Sequence, residues 1–260
     1  MTTLFKYEDR EITDRDFIKG LKDIGVKNGD TIFVHTDVGV FGKLAETNRN
    51  KLLESFFEIL KESVGEGGTI IIPTFTYSFC EGKDYDPKNS PSTVGIFTEF
   101  FRKQEGVIRT NHPIFSVGIW GKNKDSFLNV GTDSFDDNSI FGKLFRANGK
   151  LVFLGASFHS CTFLHYIEQK HGVPYRYIKE FQEKIIEGKK AMPKSATYYV
   201  RDLDKKVVLE TSRLIDHLKN KGMLKVKKVG SGNIMAIKAV DLLEEGQKCL
   251  DKDINFFLEP

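Results

Sequence analysis

The chain has 260 residues, of which 40% are hydrophobic, and its formal net charge at neutral pH is +3. A chain of this length buries enough apolar surface to fold as one domain over residues 1–260. The mild charge, without a dense basic stripe, argues against a nucleic-acid-binding protein. The apolar runs are too short to cross a bilayer and the first residues lack a signal-peptide core, so we expect a cytoplasmic protein with no membrane partner.

Helices and apolar strands alternate along the first two thirds of the chain. Thr13 and Asp16 have the spacing of a capping box, and the apolar residues that follow keep helical spacing up to Gly25. Further helices are expected at about 52–64, 93–103 and from 162 onward, with strands at 31–35, 69–73, 115–120 and 151–154. This alternation predicts the α/β class, with a largely parallel sheet covered by helices.

The last third of the chain has a different pattern. Residues 196–200 and 206–209 flank a short polar turn and predict a hairpin. A helix over 212–221, two short strands around 230–232 and a final helix from 241 follow. We therefore predict antiparallel strands here, with residues 190–240 forming a small antiparallel extension.

A histidine and a carboxylate lie three residues apart just after the strand at 151–154. On a helix, His165 and Glu168 would be surface neighbours, so the carboxylate can orient the imidazole. The helix begins beyond the carboxyl end of a strand, which is where α/β sheets bind their ligands. The pair predicts a general base, although a histidine satisfied within the core would show the same pattern.

Cysteine and histidine patterns give two weaker hypotheses. Cys161 and His165 are four residues apart, which would suit a thiol-dependent hydrolase or amidase, but a small buried cysteine explains the same spacing. Three cysteines, an odd number, argue against a disulfide framework. His159, His165 and His171 recur every six residues, which places them on different faces of a helix, so no metal site is predicted.

Five blocks carry a resemblance to a known family. They are Val34-His35-Thr36-Asp37-Val38 with Gly42, Gly68 through Tyr77, Asp86-Pro87, Arg109 through Ser116, and Gly155 through Thr162 with Leu164, His165 and Glu168. In order and spacing they resemble the aminoglycoside 3-N-acetyltransferase (antibiotic N-acetyltransferase) family over roughly residues 24–174. The phosphate-binding signature of the GNAT acetyltransferases is absent.

The resemblance implies a three-layer α/β/α fold and transfer of an acetyl group from acetyl-CoA to an amine of an amino sugar. It favours His165 as the general base, held by Glu168, with direct transfer in a ternary complex. The segment after the first strand of the sheet lies along the cofactor in this family, and the block around His112 borders the cofactor and the active site. We therefore expect these residues to contact CoA: His35, Thr36, Asp37, Val38, Gly39, Thr74, Phe75, His112, Pro113 and Ser116.

The acceptor is predicted less directly. The long polar loop after the strand at 69–73 offers substrate-binding residues: Thr76, Tyr77, Asp84 and Asp86. Hydroxyls of Thr74, Thr76 or Ser116, or backbone amides, are candidate donors to the thioester oxyanion. The family implies an aminoglycoside acceptor. The basic excess over residues 179–206 instead favours an amino sugar carried on a nucleotide diphosphate, and the aromatic content makes a homodimer plausible.

Overall fold

A mixed seven-stranded sheet forms the centre of the computed structural model, which describes residues 1–45, 48–205 and 207–259. The strands are β1 (Thr3–Tyr7), β2 (Arg10–Thr13), β3 (Thr31–Thr36), β4 (Lys43–Leu44), β5 (Thr69–Pro73), β6 (Ile108–Arg109), β7 (Val117–Gly121), β8 (Lys150–Leu154), β9 (Arg176–Glu187), β10 (Lys190–Arg201), β11 (Lys225–Val229) and β12 (Gly232–Lys238). The helices are α1 (Asp14–Asp23), α2 (Arg49–Val64), α3 (Ile96–Phe101), α4 (Asp125–Leu128), α5 (Ile140–Arg146), α6 (Phe163–His171), α7 (Ser212–Asn220) and α8 (Ala239–Lys252).

The sheet is less parallel than the alternation of elements predicts. Its strand order is β11-β12-β8-β3-β5-β7-β6, and β3 runs parallel to both of its neighbours, β5 and β8. The outer pairings are antiparallel, because β7 reverses along β5 and the β11–β12 hairpin adds to β8. The α/β class and the mixed sheet are confirmed, with the parallel part confined to three central strands.

Two apolar layers cover the two faces of the sheet. Along β3, Phe33 packs into one layer while Ile32 and Val34 pack into the other, as the two-residue period of a strand requires. Helices α1, α2 and α3 lie on the second face, and α5, α6 and α8 lie on the first. The fold is therefore the three-layer α/β/α arrangement that the resemblance implies.

The hairpin predicted between residues 196–200 and 206–209 is wrong, because the first of these segments pairs with a different strand. Strand β10 pairs along its whole length with β9, from Lys190 opposite Glu187 to Arg201 opposite Arg176, and the turn is at Gly188. Segment 176–187 shows no clear strand signal because a two-stranded ribbon leaves most of its side chains exposed to solvent. Antiparallel strands in the last third are confirmed, since β10, β11 and β12 all pair antiparallel, whereas the division of residues 190–240 into a small extension stays a prediction. Lys206 lies outside the described residues.

The N-terminal prediction of a capped helix is confirmed. Asp16 Oδ2 accepts from the backbone N–H of Thr13 at 2.8 Å, and helix α1 follows. The small sheet formed by β1, β2 and β4, and the helices α4 and α5, were not predicted from the sequence. Within the described residues, no helix is both long enough and apolar enough to span a bilayer.

Candidate active site

A cleft of about 740 Å³ opens where the three parallel strands end. Strands β3, β5 and β8 run in the same direction, so the segments that follow them meet at one edge of the sheet. The remaining walls come from the start of α3, from α6 and from β10. The lining residues are His35, Thr36, Asp37, Val38, Gly39, Pro73, Phe75, Tyr77, Val94, Gly95, Ile96, Phe97, Thr98, Phe115, Ala156, Ser157, His159, Ser160, Cys161, Thr162, His165 and Tyr198.

His165 lies in this cleft and is held by the predicted carboxylate. Its Nδ1 is 2.6 Å from Oε2 of Glu168, across one turn of α6. The Glu168 side chain is fully buried, whereas the His165 side chain is 19% exposed. Because Nδ1 is engaged with Glu168, Nε2 is the nitrogen left for a bound substrate. The predicted contact between the two residues is confirmed.

A second basic side chain contacts the same carboxylate. Arg176 Nε, at the start of β9, is 2.8 Å from Glu168 Oε2, so the two side chains form an ion pair. Burial alone would raise the pKa of Glu168, but His165 and Arg176 together hold it below its ordinary value. Glu168 is therefore an anion that both orients the imidazole and can stabilise its protonated form.

The segment after β3 is held against the end of β8. The backbone N–H of Asp37 donates to the carbonyl of Leu154 at 2.9 Å, and the Asp37 carboxylate accepts from the N–H of Gly39 at 3.3 Å. Gly155 has φ +78°, and a Cβ at this position would lie 2.2 Å from the carbonyl oxygen of Asp37. Only glycine permits this approach.

We expect Gly155→Ala to displace the segment after β3 and to lower stability by about 1–3 kcal/mol, the usual cost of a forced backbone shift. Gly172→Ala is the matched control, because Gly172 has φ +79° but its added Cβ would meet nothing within 4 Å. Chemical denaturation gives the free energy of unfolding of both variants. The loss in Gly172→Ala measures the backbone strain of an alanine at positive φ, and any further loss in Gly155→Ala measures the clash with Asp37. Equal losses in the two variants would contradict the close approach.

Two predicted histidines are buried and neutral. Burial lowers the pKa of His35 to about 3 and that of His112 to about 4. The His35 ring stacks on Phe153, with centroids 5.2 Å apart, and faces the cleft. His112 lies outside the lining, where its Nδ1 accepts from the backbone N–H of Phe115 at 3.0 Å. It therefore fixes the turn that begins the segment leading to β7.

Four aromatic rings form a continuous wall beside His165, which we call the aromatic wall. Phe115 is at its centre, with its ring centroid 4.9 Å from Phe75, 5.7 Å from Tyr77 and 4.9 Å from Tyr198. All three contacts are edge to face. Tyr198 belongs to β10, so the β9–β10 ribbon forms part of the cleft wall. The same ribbon supplies Arg176, which contacts Glu168.

A model of the aminoglycoside 3-N-acetyltransferase family matches residues 33–251, most of the chain. The chain belongs to this family. A curated relative is the SPbeta prophage-derived aminoglycoside N(3')-acetyltransferase-like protein YokD of Bacillus subtilis (strain 168). It is 26% identical over an alignment of 261 positions, which covers 91% of each chain. The protein is thus an acyl-CoA-dependent N-acyltransferase of the aminoglycoside 3-N-acetyltransferase type.

Solved structures share the fold of this N-acyltransferase. The complex of AAC-IIIb with CoASH superimposes with a TM-score of 0.78 at 22% identity and covers 95% of this chain and 98% of the other. AAC-VIa bound to sisomicin gives 0.77 at 19% identity, covering 92% and 97%. At these identities the likeness supports the fold.

Several residues predicted as ligands of this N-acyltransferase lie outside the cleft lining. Thr74 and Ser116 are fully buried, and both hydroxyls accept from Arg109 Nε, at 3.0 and 3.2 Å. The Thr76 hydroxyl donates to the carbonyl of Pro113 at 3.0 Å. These groups form a buried network behind the cleft that fixes the loop after β5.

The acidic residues of that loop are also engaged elsewhere. Asp84 accepts from the backbone N–H of Lys184 at 3.2 Å and so ties the loop to β9. Asp86 accepts from the N–H groups of Lys88 and Asn89, at 2.8 and 3.1 Å, within a turn. Neither carboxylate lines the cleft. Across the described residues, no three His, Cys, Asp or Glu side chains converge as a metal site would require.

Proposed function

We propose that the protein transfers an acetyl group from acetyl-CoA to an amine of an amino sugar, with His165 as the general base. The observation that supports this most strongly is the 2.6 Å contact between His165 Nδ1 and Glu168, in a cleft at the carboxyl ends of three parallel strands. A protonated amine cannot attack a thioester, so a base in this position supplies what the reaction needs.

The proton and the acyl group follow a simple balance. An amine that arrives as an ammonium ion first releases one proton to solvent. The neutral amine nitrogen then attacks the thioester carbonyl carbon as Nε2 of His165 takes a second proton from it. The C–S bond then breaks, and the proton on His165 passes to the departing thiolate, which leaves as CoA. Glu168 remains ionised and stabilises the imidazolium formed between the two proton transfers. The acetyl group never resides on the protein.

The cleft has groups suited to the CoA arm. His35 Nε2 and Thr36 Oγ1 are buried polar atoms that have no hydrogen-bond partner within the described part of the chain. Both residues line the cleft beside apolar side chains, including Val38 and Phe97. Unpaired donors and acceptors in an apolar channel suit the amide groups of a pantetheine chain. We propose that the segment 35–39 holds this arm, with the Asp37 carboxylate turned toward its own loop.

The acceptor has two candidates. An aminoglycoside is the first, since relatives carry that substrate in their names and AAC-VIa was solved with sisomicin bound. An amino sugar linked to a nucleotide diphosphate is the second. It is favoured by the net charge of +3 and by the cleft lining, whose described residues include one acidic side chain, Asp37. With either acceptor, one amine would lie next to His165.

The geometry favours this proposal over a cysteine-dependent hydrolase. Cys161 is 1% exposed, and burial raises the pKa of its thiol to about 12, so it is protonated at neutral pH. We expect Cys161→Ser to retain most of the activity, because the thiol takes no part in the reaction. The measurement is acetyl-CoA-dependent thiol release, with Cys249→Ser as the control. Complete loss of turnover in the folded Cys161→Ser variant alone would instead support a thiol nucleophile.

Steady-state product analysis tests the proposed function. With both substrates present, thiol released and acetylated acceptor formed should be equal in amount, and each should require the other substrate. Thiol release without any acetylated amine would identify a hydrolase. No thiol release with acetyl-CoA and a broad set of amines would remove the proposal.

A further inference from the structure

The cleft offers very little negative charge to a cationic substrate. Among the lining residues that the structure describes, Asp37 is the single one with a carboxylate, and none is a lysine or arginine. From this, and resting on the proposed acetyl transfer, we infer that the acceptor carries a single amine and no further positive charge, with a sugar ring that packs against the aromatic wall. A polycationic antibiotic would leave several ammonium groups in the cleft without partners.

Asp37 is poorly placed to compensate several positive charges. Its side chain is exposed, and its Oδ1 already accepts from the N–H of Gly39. It belongs to the segment after β3, whereas the aromatic wall is formed by the segments after β5 and before β7 and by β10. One exposed carboxylate matches one ammonium group at most, and water screens that contact.

Several acidic side chains near the cleft are paired with neighbours. Glu81 lies 2.6 Å from Lys83, and Glu99 lies 2.6 Å from both Arg102 and Lys103. Glu168 is shared by His165 and Arg176, and the loop carboxylates Asp84 and Asp86 accept from backbone N–H groups. None of these groups is available to a second or third ammonium without breaking an existing contact.

The charged groups nearest Tyr198 are mainly basic. Lys179 is directly opposite Tyr198 in the β9–β10 register, and its ammonium lies 5.1 Å from the centroid of the Phe181 ring. Arg176 and Arg201 also act on the Tyr198 hydroxyl electrostatically, and Glu168, the acidic group among these neighbours, is compensated by Arg176. A polycation would meet positive charge on this side of the cleft, whereas a neutral ring would gain contact area against Tyr77, Phe115 and Tyr198.

Two amino-sugar acceptors that differ in their number of amines provide the first test. At saturating acetyl-CoA, kcat/KM for para-nitrophenyl glucosaminide should exceed that for kanamycin at least about tenfold, corresponding to roughly 1.4 kcal/mol. Raising the salt from roughly 20 mM to roughly 500 mM should change the monoamine value little. A preference for kanamycin that weakens with salt would overturn the inference and leave the proposed function intact. No thiol release with either acceptor would count against the proposed function, and the inference would fall with it.

A designed carboxylate provides the second test. Tyr198→Glu adds an acidic group to the wall, and Tyr198→Gln is its uncharged control. We expect kcat/KM for kanamycin to be at least about tenfold higher in the glutamate variant than in the glutamine variant, with no such gain for the monoamine. Equal kanamycin values in the two folded variants would show that charge at this wall does not set specificity.

Discussion

Replacing His165 with alanine should lower kcat by about 10²- to 10⁴-fold, the usual contribution of a positioned general base. The expected reason is that His165 is the proposed acceptor of the amine proton, and Glu168 is fully buried beneath the imidazole and does not replace it. The His165 side chain is partly exposed, so its removal should leave the fold intact. Steady-state thiol release and circular dichroism on the same samples measure the two effects separately.

His171 provides a matched control within the same helix. It lies at the other end of α6, outside the cleft lining, with its Nε2 3.1 Å from Asp251. His171→Ala should therefore keep kcat near the wild-type value. Loss of activity in both variants would indicate that the helix tolerates no substitution, whereas full activity of folded His165→Ala would contradict the role of His165.

Replacing Arg176 with methionine should destabilise the protein by about 3 kcal/mol, because it leaves the buried Glu168 carboxylate without its ion-pair partner. The Arg176 side chain is only 6% exposed, so water does not replace the lost charge. Activity should fall as well, since a Glu168 freed from the β9–β10 ribbon no longer fixes the His165 ring. Arg176→Lys, which keeps the charge, should recover part of both losses.

The pH dependence of stability distinguishes this effect from a loss of packing. The pKa of Glu168 in the folded state lies below its ordinary value of 4.5, so the ionised carboxylate stabilises the fold above that pH. This contribution disappears as pH falls through the lowered pKa. The difference in unfolding free energy between wild type and Arg176→Met should therefore be largest at neutral pH and shrink below about pH 4.5. A difference that is constant with pH would point to packing alone.

Local spacing made the centre of the site predictable from the sequence. The three-residue interval between His165 and Glu168 and the apolar strand before them place the pair on one helix turn beyond β8. Segment 35–39 was also expected at the cleft, and its residues line the cleft in the structure. The roles assigned to these residues stay predictions, as does the homodimer.

Contacts between distant elements were not predictable in the same way. Arg176 reaches Glu168 only because the chain turns after α6 into a ribbon, and the strand pairing predicted for β10 in that ribbon was wrong. The same error hid Tyr198, whose strand was expected but whose partner and direction were not. Thr74 and Ser116 were expected at the cofactor because they lie in blocks that carry the family resemblance, yet both hydroxyls accept from Arg109 in a buried network.

Mass spectrometry during turnover tests direct transfer most simply. The enzyme would be mixed with acetyl-CoA and an accepted amine, quenched at intervals, and analysed for protein mass and acetylated acceptor together. Direct transfer through a ternary complex predicts unmodified protein at every time point while acetylated acceptor and free CoA rise in equal amounts. An acetylated protein species that forms before the product and decays into it, mapped to Cys161 or any other side chain, would contradict the account.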